Sequence, residues 1–291
     1  MTRPVKDFSL EKIELIHGAD LLRKDHPGCG VDKIYDTLQP DWIGKTKGIK
    51  LLYSYGFKLH KRVNYKRTTI PVSSHYQNLI EGMLVTSCNQ VWQTDITYIK
   101  VNGQFYYLVF IVDIYTKQIL GFTVNKNMQA EANLDALKQA CKSQEYKLEG
   151  LVHHSDRGSQ YIDHRYIAEL SKQGIWISMG YKAQDNAYAE RLNGIIKNEF
   201  LKRWTIKDFN GLKRKVKKAV EYYNGKRIHR HLPGKQTPDG FREGLVHLTT
   251  QTRPKVIIYT NGNKKLKVAS SHLELYPDTE PRAPICPMVI R

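Results

Sequence analysis

Three acidic residues have types and settings that point to metal-assisted chemistry at phosphorus. Asp156 closes the run Gly150-Leu151-Val152-His153-His154-Ser155-Asp156, which places it at the end of a short apolar strand. Glu190 lies about one turn into a helix expected from Asn186 onward, where Asp185 or Asn186 sits in the N-cap position and no Pro or Gly follows until Gly194. Asp95 interrupts Val91-Trp92-Gln93-Thr94-Asp95-Ile96-Thr97-Tyr98-Ile99-Lys100, a β-branched and aromatic run that reads as a strand. An acid there is costly to bury without a partner. Hard divalent cations take oxygen ligands and leave room for substrate phosphate. Three such acids could hold two ions roughly 3.5–4 Å apart, the spacing for in-line phosphoryl displacement.

Other polar residues have simpler roles. Asp113 starts a turn, and Asp163 and Asp185 fit as helix caps. His153 and His154 must point to opposite sides of their strand and read as packing and hydrogen-bonding residues, with no second His pair at zinc spacing. Ser155 and Ser159 have no base placed to activate them. Cys29, Cys88, Cys141 and Cys286 form no CxxC pair, so they are expected to be reduced thiols rather than a zinc knuckle.

The elements that must position the acids follow from periodicity. Helices are expected over Ser9–Lys24, Val31–Leu38 and Thr46–Tyr55, the last closed by Gly56, and together they suggest a helix-turn-helix-like module. Residues 71–89 read as a linker. Strands follow at Trp92–Ile99 and Phe105–Asp113, joined by an Asn102-Gly103 turn, and then at Gln118–Val124. Further on come a helix (Glu131–Ser143), a strand (Leu151–Ser155), a helix capped by Asp163, a strand (Ile175–Ser178), and helices from Asn186 to about Arg203 and from Asp208 to about Tyr223. This order predicts an α/β fold, a mixed five-stranded sheet flanked by helices. Pro254–Ala269 reads as a β-hairpin around Asn261-Gly262, and the Pro-rich end as an extended tail. The expected organisation is a helical module (1–70), linker (71–89), catalytic core (90–245) and C-terminal segment (246–291).

Lys and Arg number 46 against 28 Asp and Glu, a net charge of +18, which calls for a polyanionic partner. No apolar run is long enough to span a bilayer and no signal peptide is visible, so nucleic acid in the cytoplasm is the expected partner. Between Gly44 and Ile70 eight basic residues (Lys45, Lys47, Lys50, Lys58, Lys61, Arg62, Lys66, Arg67) occur without an acid, interleaved with Tyr53, Tyr55, Phe57 and Tyr65. The first six are candidate phosphate contacts. On the Glu190 helix, Asn193 and Lys197 share its face and are placed near DNA, as is Arg227.

The strings His153-His154-Ser155-Asp156-Arg157-Gly158-Ser159-Gln160-Tyr161 and Asp185-Asn186-Ala187-Tyr188-Ala189-Glu190-Arg191-Leu192-Asn193, with Asp95 before them, resemble the OrfB-type transposases of bacterial insertion sequences. These belong to the superfamily of Asp-Asp-Glu (DDE) transposases and retroviral integrases. The ending Tyr223-Asn224, Arg227, His229, Leu232, Thr237-Pro238, Phe241 is similar to that family's as well. The Asp156–Glu190 spacing is slightly short for it, the shortfall falling in Gly180–Gln184. The resemblance implies a ribonuclease-H-like integrase core with Asp95, Asp156 and Glu190 as the catalytic, metal-binding triad. It also implies two Mg²⁺ or Mn²⁺ ions, cleavage at terminal inverted repeats with joining to target double-stranded DNA, and a homo-oligomer on DNA. An upstream-frame protein partner is possible in such systems. Two other readings stay open on the residues alone: a DNA-binding regulator with a vestigial centre, and a ribonuclease-H-like nuclease.

Overall fold

Apolar residues at helical spacing, broken by Asp25-His26-Pro27-Gly28 and again by Pro40, give three short helices: α1 (Ser9–Asp25), α2 (Val31–Leu38) and α3 (Lys45–Ser54). Leu15, Ala19, Ile34, Leu52 and Phe57 form their shared core. The structure is a computed structural model that describes residues 8–59, 76–144, 148–249, 251–258 and 267–268.

The segment expected to be a linker contributes a strand, β1 (Met83–Val85). The central sheet follows. β2 (Val91–Val101) and β3 (Gln104–Asp113) form a hairpin whose turn residues Asn102 (φ 46°) and Gly103 (φ 85°) take the left-handed values that a two-residue turn of this hand requires. β4 (Ile119–Asn125) returns along β3. Then come α4 (Ala130–Lys142), β5 (Val152–Ser155), α5 (His164–Lys172), β6 (Trp176–Met179), α6 (Ala187–Ile195), α7 (Phe209–Gly225) and α8 (Pro238–Gly244). The sheet order is β4-β3-β2-β5-β6, antiparallel through the first three strands and parallel from β2 to β6. This is the ribonuclease-H-like arrangement.

β3 is buried on both faces because helices cover both. Leu108, Phe110 and Val112 pack with α6 and α7 on one side, and Val109 and Ile111 with α4 on the other. Each such fully buried side chain contributes about 1.5–3 kcal/mol. The helix expected to run on to Arg203 instead ends at Ile195 and continues as a wide π turn, Ile196–Phe200, before a short 3-10 turn.

The expected C-terminal hairpin is corrected. β7 (Val256–Ile257) pairs antiparallel with one edge of β1, and β8 (Lys267–Val268) pairs parallel with the other, so the order is β7-β1-β8. The apolar strand Met83-Leu84-Val85 supplies both hydrogen-bonding edges, with Met83 and Val85 buried beside Ile258. The Asn261-Gly262 turn and the Pro-rich tail lie outside the described residues.

Candidate active site

β2 and β5 run parallel with Gln93 opposite His154. Continued by two residues, just past the end of β5 at Ser155, that register sets Asp95 beside Asp156. Glu190 approaches from the first turn of α6, which packs on β2 and β3. Burial first, then the charges of Asp156 and Glu190, push the Asp95 carboxyl up to about 7. Burial and Asp156 push Glu190 up as well. The fold therefore brings all three acids near enough to repel one another.

They do not form a ready-made cage. Asp95 Oδ2 accepts a 2.8 Å hydrogen bond from Asn193 Nδ2, and Asp156 Oδ1 accepts one of 3.0 Å from the Gly158 amide. Glu190 is exposed. Among the described residues no group of three His, Cys, Asp or Glu side chains is placed to hold a metal ion, and neither Asp95 nor Glu190 makes an ion pair. The residue types nevertheless suit a hard cation: all three are carboxylates, and the like-charge repulsion on Asp95 and Glu190 is of the kind that a divalent ion relieves.

Strand β2 holds α6 through a row of polar contacts. Gln93, buried and two residues before Asp95 on the same face, accepts from the amides of Tyr188 (3.0 Å) and Ala189 (3.3 Å). Its Nε2 donates to the Asp185 carbonyl at 3.0 Å. Asn186 Nδ2 donates to the Thr94 carbonyl, Asn193 to Asp95, and Lys197 Nζ to Thr97 Oγ1, each at 2.8 Å. Helix positions 188–189, 193 and 197 are thus fastened to strand positions 93, 95 and 97. The N-cap comes from Gln93 and from neither Asp185 nor Asn186. Asp185 instead accepts from the Tyr181 and Lys182 amides, closing the shortened loop. A cap supplied from a distant strand leaves no local sequence signal.

Within the wide turn lies a second polar centre that sequence reasoning missed. Glu199 receives His26 Nε2 (2.7 Å), Lys33 Nζ (2.7 Å) and both Arg227 Nε (2.9 Å) and a terminal Arg227 nitrogen (3.0 Å). Burial alone would raise its pKa, but these hydrogen bonds and the charges of Arg227 and Lys33 hold it well below the ordinary carboxylate range. The Gly28 amide donates to the Glu199 carbonyl at 2.7 Å. A Cβ on Gly28 would lie 2.3 Å from Glu199 Cα, so only glycine fits this approach of α1's end to the core.

The remaining expectations divide. Arg227, expected on DNA, is corrected: it is buried and committed to Glu199. Asn193 is buried against Asp95, and Lys197 is half-buried with its ammonium on Thr97. Lys45 pairs with Asp36 at 2.6 Å, whereas Lys47, Lys50 and Lys58 are exposed. Lys61 and Arg62 lie outside the described residues. His153 and His154 hydrogen-bond Tyr166 (3.0 Å) and Ser178 (2.8 Å), and burial pushes each down to about 3. Asp113 accepts from Asn89, Tyr115 and Thr116, and Asp163 caps α5.

Two family models, both described as Integrase core domain, match residues 86–184 and 174–238. A transposase for insertion sequence element IS904 of Lactococcus lactis is 32% identical over 201 residues, covering 68% of this chain and 78% of that protein. The chain belongs to the insertion-sequence transposases with an integrase core. A putative transposase for insertion sequence element IS986/IS6110 of Mycobacterium tuberculosis is 29% identical over 244 residues, 79% of this transposase and 85% of that one. Among solved structures, the HTLV-2 integrase catalytic core domain in complex with magnesium is similar at 21% identity and a TM-score of 0.43, over 57% of this chain and 99% of that one. The activity of such transposases is transposition, a transfer of polynucleotide strands carried out on DNA. No described helix of this transposase is long and apolar enough to cross a membrane.

Proposed function

We propose that this transposase cleaves and joins DNA strands at Asp95, Asp156 and Glu190, with two Mg²⁺ or Mn²⁺ ions as cofactors. The observation that carries the reading is the β2–β5 register, which sets Asp95 next to Asp156 beneath α6, with Asp95 raised to about 7 by burial and its two acidic neighbours. Divalent ions held there would supply a polarised water or 3′-hydroxyl and neutralise charge on the leaving oxygen. The protein's own part is positioning. Gln93 and Asn186 seat the start of α6, Asn193 orients the Asp95 carboxylate, and Lys197 brings a cation to the same face. Glu190, exposed on the first turn of α6, would complete the set.

The substrates in this reading are the element's terminal inverted repeats and target double-stranded DNA, synapsed by a homo-oligomer in the cytoplasm near the nucleoid. The helical module ahead of the core contacts phosphates through Lys47, Lys50 and Lys58, with Lys61 and Arg62 continuing the basic run. An upstream-frame protein is a further partner. Strand joining of a labelled terminal-repeat duplex in Mg²⁺ or Mn²⁺ is the test. Undiminished joining by Asp156→Asn overturns the assignment.

A further inference from the structure

The face of α6 turned away from Asp95 lines a groove of about 580 Å³ between the core, the loop after α7 and the strand around Val256. Its chemistry is lopsided. Lys117, Arg191 and Lys255 line it, with His229 and His231, against one acid, Asp185. That carboxylate is already taken by the Tyr181 and Lys182 amides. Among the described residues none of the three cations has a carboxylate within ion-pair distance.

Lys117 is the most telling. Its side chain is almost wholly buried, its ammonium donates to the Ile114 carbonyl, and it lies 3.9 Å over the Tyr188 ring. Burial pushes this ammonium down to about 7 against the opposing charge of Asp113, whose carboxylate is itself occupied by Asn89, Tyr115 and Thr116. His229 is only 6% exposed, and its Nδ1 has no hydrogen-bond partner. Arg191 reaches His231 Nε2 at 3.1 Å, which leaves its other guanidinium nitrogens available. Tyr188 and Phe241 give the groove aromatic walls. One buried and two exposed cations, an imidazole with an unpartnered nitrogen and ring faces in one cavity are what a phosphate ester with a sugar or base attached would satisfy.

We propose that this groove binds a phosphodiester of the DNA strand, held by Lys117, Arg191 and Lys255, so that α6 meets DNA on the face opposite the acids as well. The proposal deepens the reading above. It rests on the chain acting on DNA and is independent of the triad. Such a site couples DNA binding to the helix that carries Glu190, because Tyr188 belongs both to the groove wall and, through its amide, to the Gln93 cap.

The test is fluorescence anisotropy of the full chain on a labelled duplex and on a labelled single strand, repeated over a salt series. Arg191→Gln and Lys255→Gln change exposed side chains and leave the core packing intact. Each should weaken binding by about tenfold at low salt and reduce the slope of log K against log salt by about one. Lys142→Gln, an exposed cation on α4, serves as the control with the same charge change. Lys117→Met should weaken binding more than Lys142→Gln does. Wild-type affinity and slope in both Arg191→Gln and Lys255→Gln overturn the proposal. So does competition by thymidine 5′-monophosphate at the Kd of the strand itself, which would make the groove a small-ligand pocket. Asp156→Asn should bind with the wild-type slope, so a variant that still joins strands sinks the triad without touching the groove.

Discussion

Two carboxylates nine positions apart on one helical stretch have opposite surroundings. Glu190, with Asp95 and Asp156, sits among like charges, where Asp95 has an asparagine amide and the Asp95 and Glu190 carboxyls are pushed upward. Glu199 sits among His26, Lys33 and Arg227 and is held far down. The contrast separates two uses of an acid. Where the protein supplies the cations itself, the acid is a fastener, here tying the helical module and the loop after α7 to the core. Where the protein leaves the negative charge in place, a cation from outside would relieve it, as the proposed function requires.

The sharpest way to break this comparison is at the uncompensated end. Asp156→Asn should reduce Mg²⁺-dependent strand joining on the order of a thousandfold, measured on a labelled duplex. The wild type should gain melting temperature on adding Mg²⁺ at neutral pH, and the variant should not. Equal stabilisation of both by Mg²⁺ would place the ion elsewhere.

The compensated end should fail by unfolding rather than by lost chemistry. Glu199→Ala leaves three cationic or imidazole groups facing nothing, and loss of one partner in a buried ion pair costs about 3–5 kcal/mol. For a chain of this size that lowers the melting temperature by about 10 °C in calorimetry. Glu199→Gln sharpens the point through pH. The Glu199 carboxyl is depressed in the folded state, so its contribution is complete above the unfolded value of about 4.5 and fades as pH falls towards the folded one. The gap in melting temperature between wild type and Glu199→Gln should therefore be widest near neutrality and narrow below about pH 4.5. A gap that widens on acidification contradicts the arrangement.

A smaller effect is expected where the two ends share a helix. Gln93→Leu removes the acceptor for the Tyr188 and Ala189 amides, worth about 1–2 kcal/mol of cap energy. Strand joining should fall by about tenfold, with DNA affinity held near wild type. A loss of affinity with an unchanged rate would show that Gln93 does not position α6 for chemistry. The smallest effect lies in the helical module: Lys47→Ala should weaken duplex binding a few-fold, and Lys45→Ala less, because Lys45 is already spent on Asp36. Binding titrations at two salt concentrations rank them.

Much of the core was legible because its signals are local. The β2–β3 hairpin shows in an Asn-Gly turn between alternating and apolar runs, and α5 and α7 begin at the aspartates that cap them. Asp95, Asp156 and Glu190 could be picked out because each departs from its surroundings in a string with a family likeness. Arg227 was misread for the same reason that Glu199 was missed. A charge in a basic, helical stretch looks solvated until a partner from another part of the chain, His26 or Arg227 itself, is placed against it. The C-terminal strands were read as each other's partners because β1, the edge they share, lay in a stretch without periodicity.

The amino-acid sequence by itself determined the run of strands and helices and the excess of positive charge, and it singled out three candidate acids, since propensity, capping and charge are properties of neighbouring residues. Only the tertiary structure decided that Gln93 caps the Glu190 helix, that Glu199 gathers three partners beside a glycine with no room for a Cβ, and that Lys117 is buried over Tyr188. Each of these joins groups far apart in the chain, and the free energy of a polar group is set by what folding brings within a few ångströms of it.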